Sequence, residues 1–129
     1  MAFYLGNERV AGNFGASHNL VTDGDAVKTG RIIDGKEEYV KRYHVAINGT
    51  NGDITKALGF DLSKVTVTNI DGAFISNSDN IFAINSGVQS TIAYDYAVQC
   101  RASDNMLLVR TYNGNFASAN INIYYIKNT

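Results

Sequence analysis

IAYDYAVQCRA, residues 92–102, is the stretch that decides the fold. Ile92, Tyr94, Tyr96, Val98, Cys100 and Ala102 fall on one side of an extended chain; Ala93, Asp95, Ala97, Gln99 and Arg101 fall on the other. A period of two sustained over this length is the signature of a half-buried β-strand. Downstream, Ser103-Asp104-Asn105 supplies a turn into a second apolar run, Met106 to Tyr112. Asn113-Gly114 opens another turn, and Ala119 to Lys127 forms a final strand with Ile121, Ile123 and Tyr125 on one side. Asn120 and Asn122 stand on its opposite side and read as hydrogen-bonding surface.

Upstream the same grammar holds. Asp34-Gly35 predicts a turn into a strand whose Tyr39, Tyr43, Val45 and Ile47 share a face with Lys41, while Val40, Arg42, His44 and Ala46 share the other. Asn48-Gly49 and Asn51-Gly52 predict a loop, and Ile54 to Leu62 a brief helical turn. The β-branched run from Lys64 to Ile70 predicts a strand, turned back at Asp71-Gly72 by a two-residue hairpin through Ala73, Phe74 and Ile75. Ile81 to Ile84 adds a short apolar run closed by Asn85-Ser86-Gly87. The count is seven or eight strands at spacings of roughly 8–15 residues, with no helix of three turns between them. The expected fold is all-β: an antiparallel, jelly-roll-like β-sandwich spanning residues 31–129. Residues 1–30 lack a sustained period and read as an irregular N-terminal arm.

Composition supports this. The 129 residues are 45% hydrophobic, enough for a core, and include fifteen Asn and twelve Gly but no Pro or Trp. Asn and Gly are poor in helix interiors and favoured in turns, which excludes a helical bundle. A formal net charge of -1 argues against nucleic acid as a partner and against a polybasic membrane patch. No apolar run is long enough for a membrane-spanning helix, and no signal peptide is read, so synthesis and folding in a cytoplasm are expected. The one cysteine, Cys100, cannot form an intramolecular disulfide and reads as a small buried hydrophobe.

Catalytic chemistry is not expected. His18 and His44 have no partner at metal-ligand spacing, and His44 reads as a solvated surface residue. Asp23-Gly24-Asp25 resembles the start of a calcium loop but lacks the later ligands, so no metal or other cofactor is assigned. Glu37 and Glu38 are adjacent, so on a strand they point to opposite faces and cannot act as a pair. The eight tyrosines carry more interest, because an apolar ring with a polar tip suits both subunit interfaces and sugar faces. Tyr124 and Tyr125, being adjacent, must face opposite ways, and one is expected at the surface or under another chain.

Residues 31–43 read RIIDGKEEYVKRY. The stretch resembles the W-I-D-G-K-x-x-Y-x-K signature of modules in tailed-bacteriophage virion structural proteins. It matches at Ile33, Asp34, Gly35, Lys36, Tyr39 and Lys41, with Ile32 where the signature has Trp. LSKVTVTNIDG from Leu62 to Gly72 is similar to a second segment of such modules. The Tyr- and Asn-rich YNGNFASANINIYYIKNT from Tyr112 resembles their closing hairpin, and FYLGNERVAG from Phe3 to Gly12 their leader. The resemblance implies a non-enzymatic virion component: a short fibre, tip or capsid decoration module. Its expected partners are itself as a homotrimer, other virion proteins and a bacterial surface glycan. The motif carries over as a structural element. Tyr112, Asn113, Asn115, Tyr124 and Tyr125 are the expected interface or glycan contacts. Phe3, Tyr4 and Leu5 are the expected hold of the arm, whose removal (residues 1–30) should leave the sandwich folded and abolish attachment to the particle. The alternative is a free, lectin-like carbohydrate-binding sandwich.

Overall fold

The computed structural model describes residues 19–84, 96–112 and 114–128. They contain eight strands: β1 (Val27–Ile33), β2 (Lys36–Ala46), β3 (Gly52–Ala57), β4 (Val65–Ser76), β5 (Ile81–Ala83), β6 (Tyr96–Arg101), β7 (Met106–Thr111) and β8 (Phe116–Lys127). Every pairing is antiparallel. One sheet has the order β1-β2-β8-β4-β5 and the other β3-β7-β6, so the chain passes between sheets four times. The fold is an all-β sandwich. The strand boundary lies earlier than the sequence suggests: β1 begins at Val27, four residues inside the expected arm. Phe3, Tyr4 and Leu5 lie outside the described residues.

Local sequence accounts for several connections. Asp34 and Gly35, at φ 53 and 76, form the left-handed pair that a tight β1–β2 hairpin requires. Asn48 and Gly49, at φ 50 and 76, turn the chain off β2 toward the smaller sheet. Between β6 and β7, Arg101 grips Asp104 through both carboxylate oxygens, at 2.9 and 2.7 Å. Asn105 then fastens the neighbouring loop, its carbonyl accepting from Leu58 N–H at 3.1 Å and its side chain from Leu62 N–H at 2.9 Å.

Asp71-Gly72 is different. The sequence predicts a hairpin there, yet β4 runs straight through to Ser76, pairing Asp71 with Asn122, Gly72 with Ile121 and Ala73 with Asn120. Gly72 sits at φ +141, and a Cβ on it would lie 2.0 Å from the Asn120 carbonyl oxygen. The glycine serves the close approach of β8 to β4 and not a turn, since both uses demand the same residue. The reversal comes at Asn77–Asn80 instead, where Ser76 N–H donates to the Asn80 carbonyl at 2.9 Å and Asp79 takes φ 66. The helical turn expected over Ile54 to Leu62 is also displaced. Ile54 to Ala57 belong to β3, and only a single 3₁₀ turn, Leu62–Lys64, follows, capped by the Asp61 carboxylate on Ser63 N–H at 2.9 Å.

The core lies between the sheets. Tyr43, Val45 and Ile47 from β2 and its end, Phe74 from β4, and Phe116, Ala119, Ile121 and Ile123 from β8 meet Leu107 and Val109 of β7. In the small sheet Ile54, Val109 and Val98 form one row. Phe74 stacks on Tyr96 at 4.2 Å and meets Phe116 edge-on at 5.4 Å, arrangements that aromatic pairs favour. The described part of the deciding stretch behaves as its alternation predicts: Tyr96, Val98 and Cys100 pack on the core, and Ala97 and Gln99 are exposed. Ile92 to Asp95 lie outside the described residues. Burial pushes the Cys100 thiol up, in keeping with a packing role.

Candidate functional site

The strands of the large sheet at the centre are twice as long as those of the small one, eleven and twelve residues against six. Near one end, the inner face of β2 and β8 therefore runs on past β3 and β7, and an aromatic shelf is built there. Register places Tyr39 of β2 opposite Tyr125 of β8, and their rings stack at 5.8 Å and 21°. Phe60, from the loop after β3, lies on Tyr125 at 4.4 Å. The ammonium of Lys127 sits 4.6 Å from the centre of the Tyr39 ring, and that of Lys41 5.6 Å from the Tyr43 ring. Gly59 makes room for Lys41: a Cβ there would stand 2.4 Å from the Lys41 Nζ.

Two open hollows flank the stack. One, about 330 Å³, is lined by Phe60, Asp61, Lys64, Val65, Tyr125 and Lys127; the other, about 290 Å³, by Lys28, Lys36, Glu37, Tyr39 and Lys127. Four lysines thus face two carboxylates. Glu37 is taken by Lys28 at 2.9 Å, and Asp61 caps its own 3₁₀ turn. The shelf accordingly presents the partly exposed rings of Tyr39 and Phe60 beside a positive rim.

Several sequence-predicted residues converge here. Asp34 and Gly35 make the turn that starts β2, Ile33 closes β1 opposite Lys36, and Lys36 donates to the Asn128 carbonyl at 3.4 Å. Tyr39, Lys41 and Tyr125 form the shelf itself. Tyr125, however, is only 5% exposed: it is the middle of the stack and not a free contact. Burial, and then Tyr39, push its hydroxyl up. Burial does the same to Tyr43, whose hydroxyl donates to the Leu58 carbonyl at 2.6 Å. Tyr112 and Asn115 lie away from the shelf, at the opposite end of β8, where Tyr112 is 39% exposed. Asn113 is outside the described residues. Tyr124 is half-buried on the outer face of the large sheet.

That outer face holds polar residues whose arrangement sequence reasoning missed. Arg42 Nε donates to Asn122 Oδ1 at 2.8 Å, and Asn122 Nδ2 donates to Asp71 Oδ1 at 2.8 Å. Asn122, expected at the surface, is 8% exposed. Beside it His44 Nδ1 meets Asn120 Oδ1 at 3.0 Å. The Asp23 turn docks here too. Its N–H donates to the Arg42 carbonyl at 2.8 Å, and its carboxylate accepts from His44 N–H at 3.1 Å and pairs with Lys56 at 2.7 Å. Lys56 also donates to the His44 carbonyl. Asp23 is therefore a docking residue, and among the described residues no group of three or more His, Cys, Asp or Glu could hold a metal ion. Further along β2, Glu38 is 1% exposed although Glu37 opposite it is in water. Its carboxylate accepts from Thr29 Oγ1 at 2.9 Å and Thr68 Oγ1 at 2.6 Å, with Arg31 at 3.6 Å, and so ties β1, β2 and β4 together. Its alternation was legible; its partners, 9 and 30 residues away, were not.

Compared with known proteins, the chain matches no family model, no curated protein and no solved structure.

Proposed function

We propose that the chain is a non-enzymatic structural module of a tailed-phage virion, assembled in the host cytoplasm as a short fibre, tip or capsid decoration unit. It works by contact: with copies of itself in a homotrimer, with other virion proteins, and with a glycan of the bacterial surface. The observation that carries this reading is the shelf, because the motif residues Tyr39 and Lys41 lie on it. A ring face with a rim of ammonium donors suits a sugar ring, whose C–H face stacks on tyrosine while its hydroxyls take hydrogen bonds. The same shelf supports a second reading, a free lectin-like module.

Light scattering on the full chain at micromolar concentration, together with retention on immobilised host-surface polysaccharide, tests both. A stable trimer that is retained supports the virion reading. A monomer that is retained favours the lectin. A monomer that is not retained overturns both. Lys127→Glu should weaken retention at least tenfold with the mass in solution unchanged.

A further inference from the structure

We propose that the cleft around Arg42, on the outer face of the large sheet, binds the carboxylate of an acidic monosaccharide. This goes beyond the contact function assigned to the shelf and does not depend on it, since the two sites lie on opposite faces of the same sheet.

The cleft has a volume of about 320 Å³ and is lined by Thr22, Arg42, Gly72, Ala73, Asn120 and Asn122. That lies at the lower end of the range that small-ligand sites occupy, which suits one sugar ring better than a polymer segment. Gly72 and Ala73 contribute no more than a methyl group, so the space is set by the backbone of β4.

Its chemistry is that of a donor site. Arg42 is half-buried, and a guanidinium in that setting is normally paired with a carboxylate. Here the Asn122 amide stands between Arg42 and Asp71, taking the Nε–H on one side and giving its own N–H to Asp71 on the other. The side chain is thereby held in place with no carboxylate in direct contact, Asp71 standing beyond the Asn122 amide. Its Nη groups make no hydrogen bond or ion pair with any other described residue. Two other nearby charges, Asp23 and Lys56, neutralise each other at 2.7 Å. Asn120 has its oxygen engaged by His44, which leaves the NH₂ as the free half of the amide, and Thr22 adds a hydroxyl.

The lining thus offers one positive charge, amides and a hydroxyl. A single planar guanidinium with two parallel N–H groups matches a monoanionic carboxylate, and the amide and hydroxyl match the alcohols beside it. A phosphate, carrying more charge, would call for a second cation, and none lines the cleft.

The test is calorimetric titration of the full chain with D-glucuronate, D-glucose, acetate and inorganic phosphate. Glucuronate should bind saturably and at least tenfold more tightly than glucose or acetate. Arg42→Gln should reduce that affinity at least tenfold. Because Arg42 is part of a buried relay, Asn120→Asp serves as the second variant. It keeps the acceptor that His44 meets, puts a negative charge into the cleft, and should cost glucuronate at least tenfold while the melting curve stays within a few degrees of the parent. Glucose binding as well as glucuronate, acetate binding as well as glucuronate, or phosphate binding in preference to both would each overturn the proposal. So would glucuronate binding that Asn120→Asp leaves unchanged.

Discussion

Gly72 and Gly35 show how differently one residue type can be constrained. Both have positive φ and both follow an aspartate. A Cβ on Gly35 would meet nothing within 4 Å, so Gly35→Ala carries only the left-handed backbone strain, about 1–2 kcal/mol. A Cβ on Gly72 would collide with the backbone of Asn120 and Ile121, which cannot move without parting β4 from β8. Gly72→Ala should therefore cost more than about 3 kcal/mol, read as a lower urea midpoint. Equal midpoints for the two variants would show that the close approach at Gly72 is not tight. The contrast also explains why Asp34-Gly35 forms the turn its sequence predicts and Asp71-Gly72 does not. The first acts through its own backbone conformation, which is local. The second acts through a strand some fifty residues away, which the sequence does not announce.

At the level of the element, β1 is bound to the sandwich by more than its ladder. Thr29 gives one of the two hydroxyl bonds to buried Glu38, Val27 stands opposite buried Val40, and the Asp23 turn just before it is pinned to β2 and Lys56. A cut at residue 30 thus removes structure along with the arm. A chain starting at Arg31 should melt roughly 5–15 °C below one starting at Asn19, because an under-satisfied buried carboxylate and an uncovered valine cost a few kcal/mol. Coincident melting curves would show that β1 contributes nothing. The strands themselves were legible wherever period two ran unbroken, as in Tyr96–Arg101. Of the candidate shelf, Tyr39 and Lys41 were legible only as structural motif residues after a recognisable turn, and of the expected contacts only Tyr125 lies there. The Arg42–Asn122–Asp71 relay was not legible, because only the cross-strand register of β2, β8 and β4 brings those three together.

Over the whole molecule, the small net charge conceals paired charges that give stability a definite pH dependence. Arg110 holds Asp53 below the ordinary carboxylate value, Ser63 does so for Asp61, and Arg101 for Asp104. Burial works to raise Asp23, but the bonds from Lys56 and His44 outweigh it. A carboxylate depressed in the folded state adds stability above its unfolded value of 3.8 and loses it as pH falls through the folded value. Urea midpoints should therefore be level from neutrality to about pH 4.5 and decline below pH 4; a midpoint unchanged down to pH 2.5 would contradict these pairings. The strand order has another consequence. β8 joins the β1–β2 and β4–β5 hairpins at the middle of the large sheet, yet it follows all seven other strands in the chain. While the nascent chain lengthens on the ribosome, the two halves of that sheet wait with unpaired flanks until Phe116–Lys127 emerges between them. A message truncated within β8 would then yield an aggregating chain and not a smaller sandwich, because the central strand of the large sheet is the last one to be made.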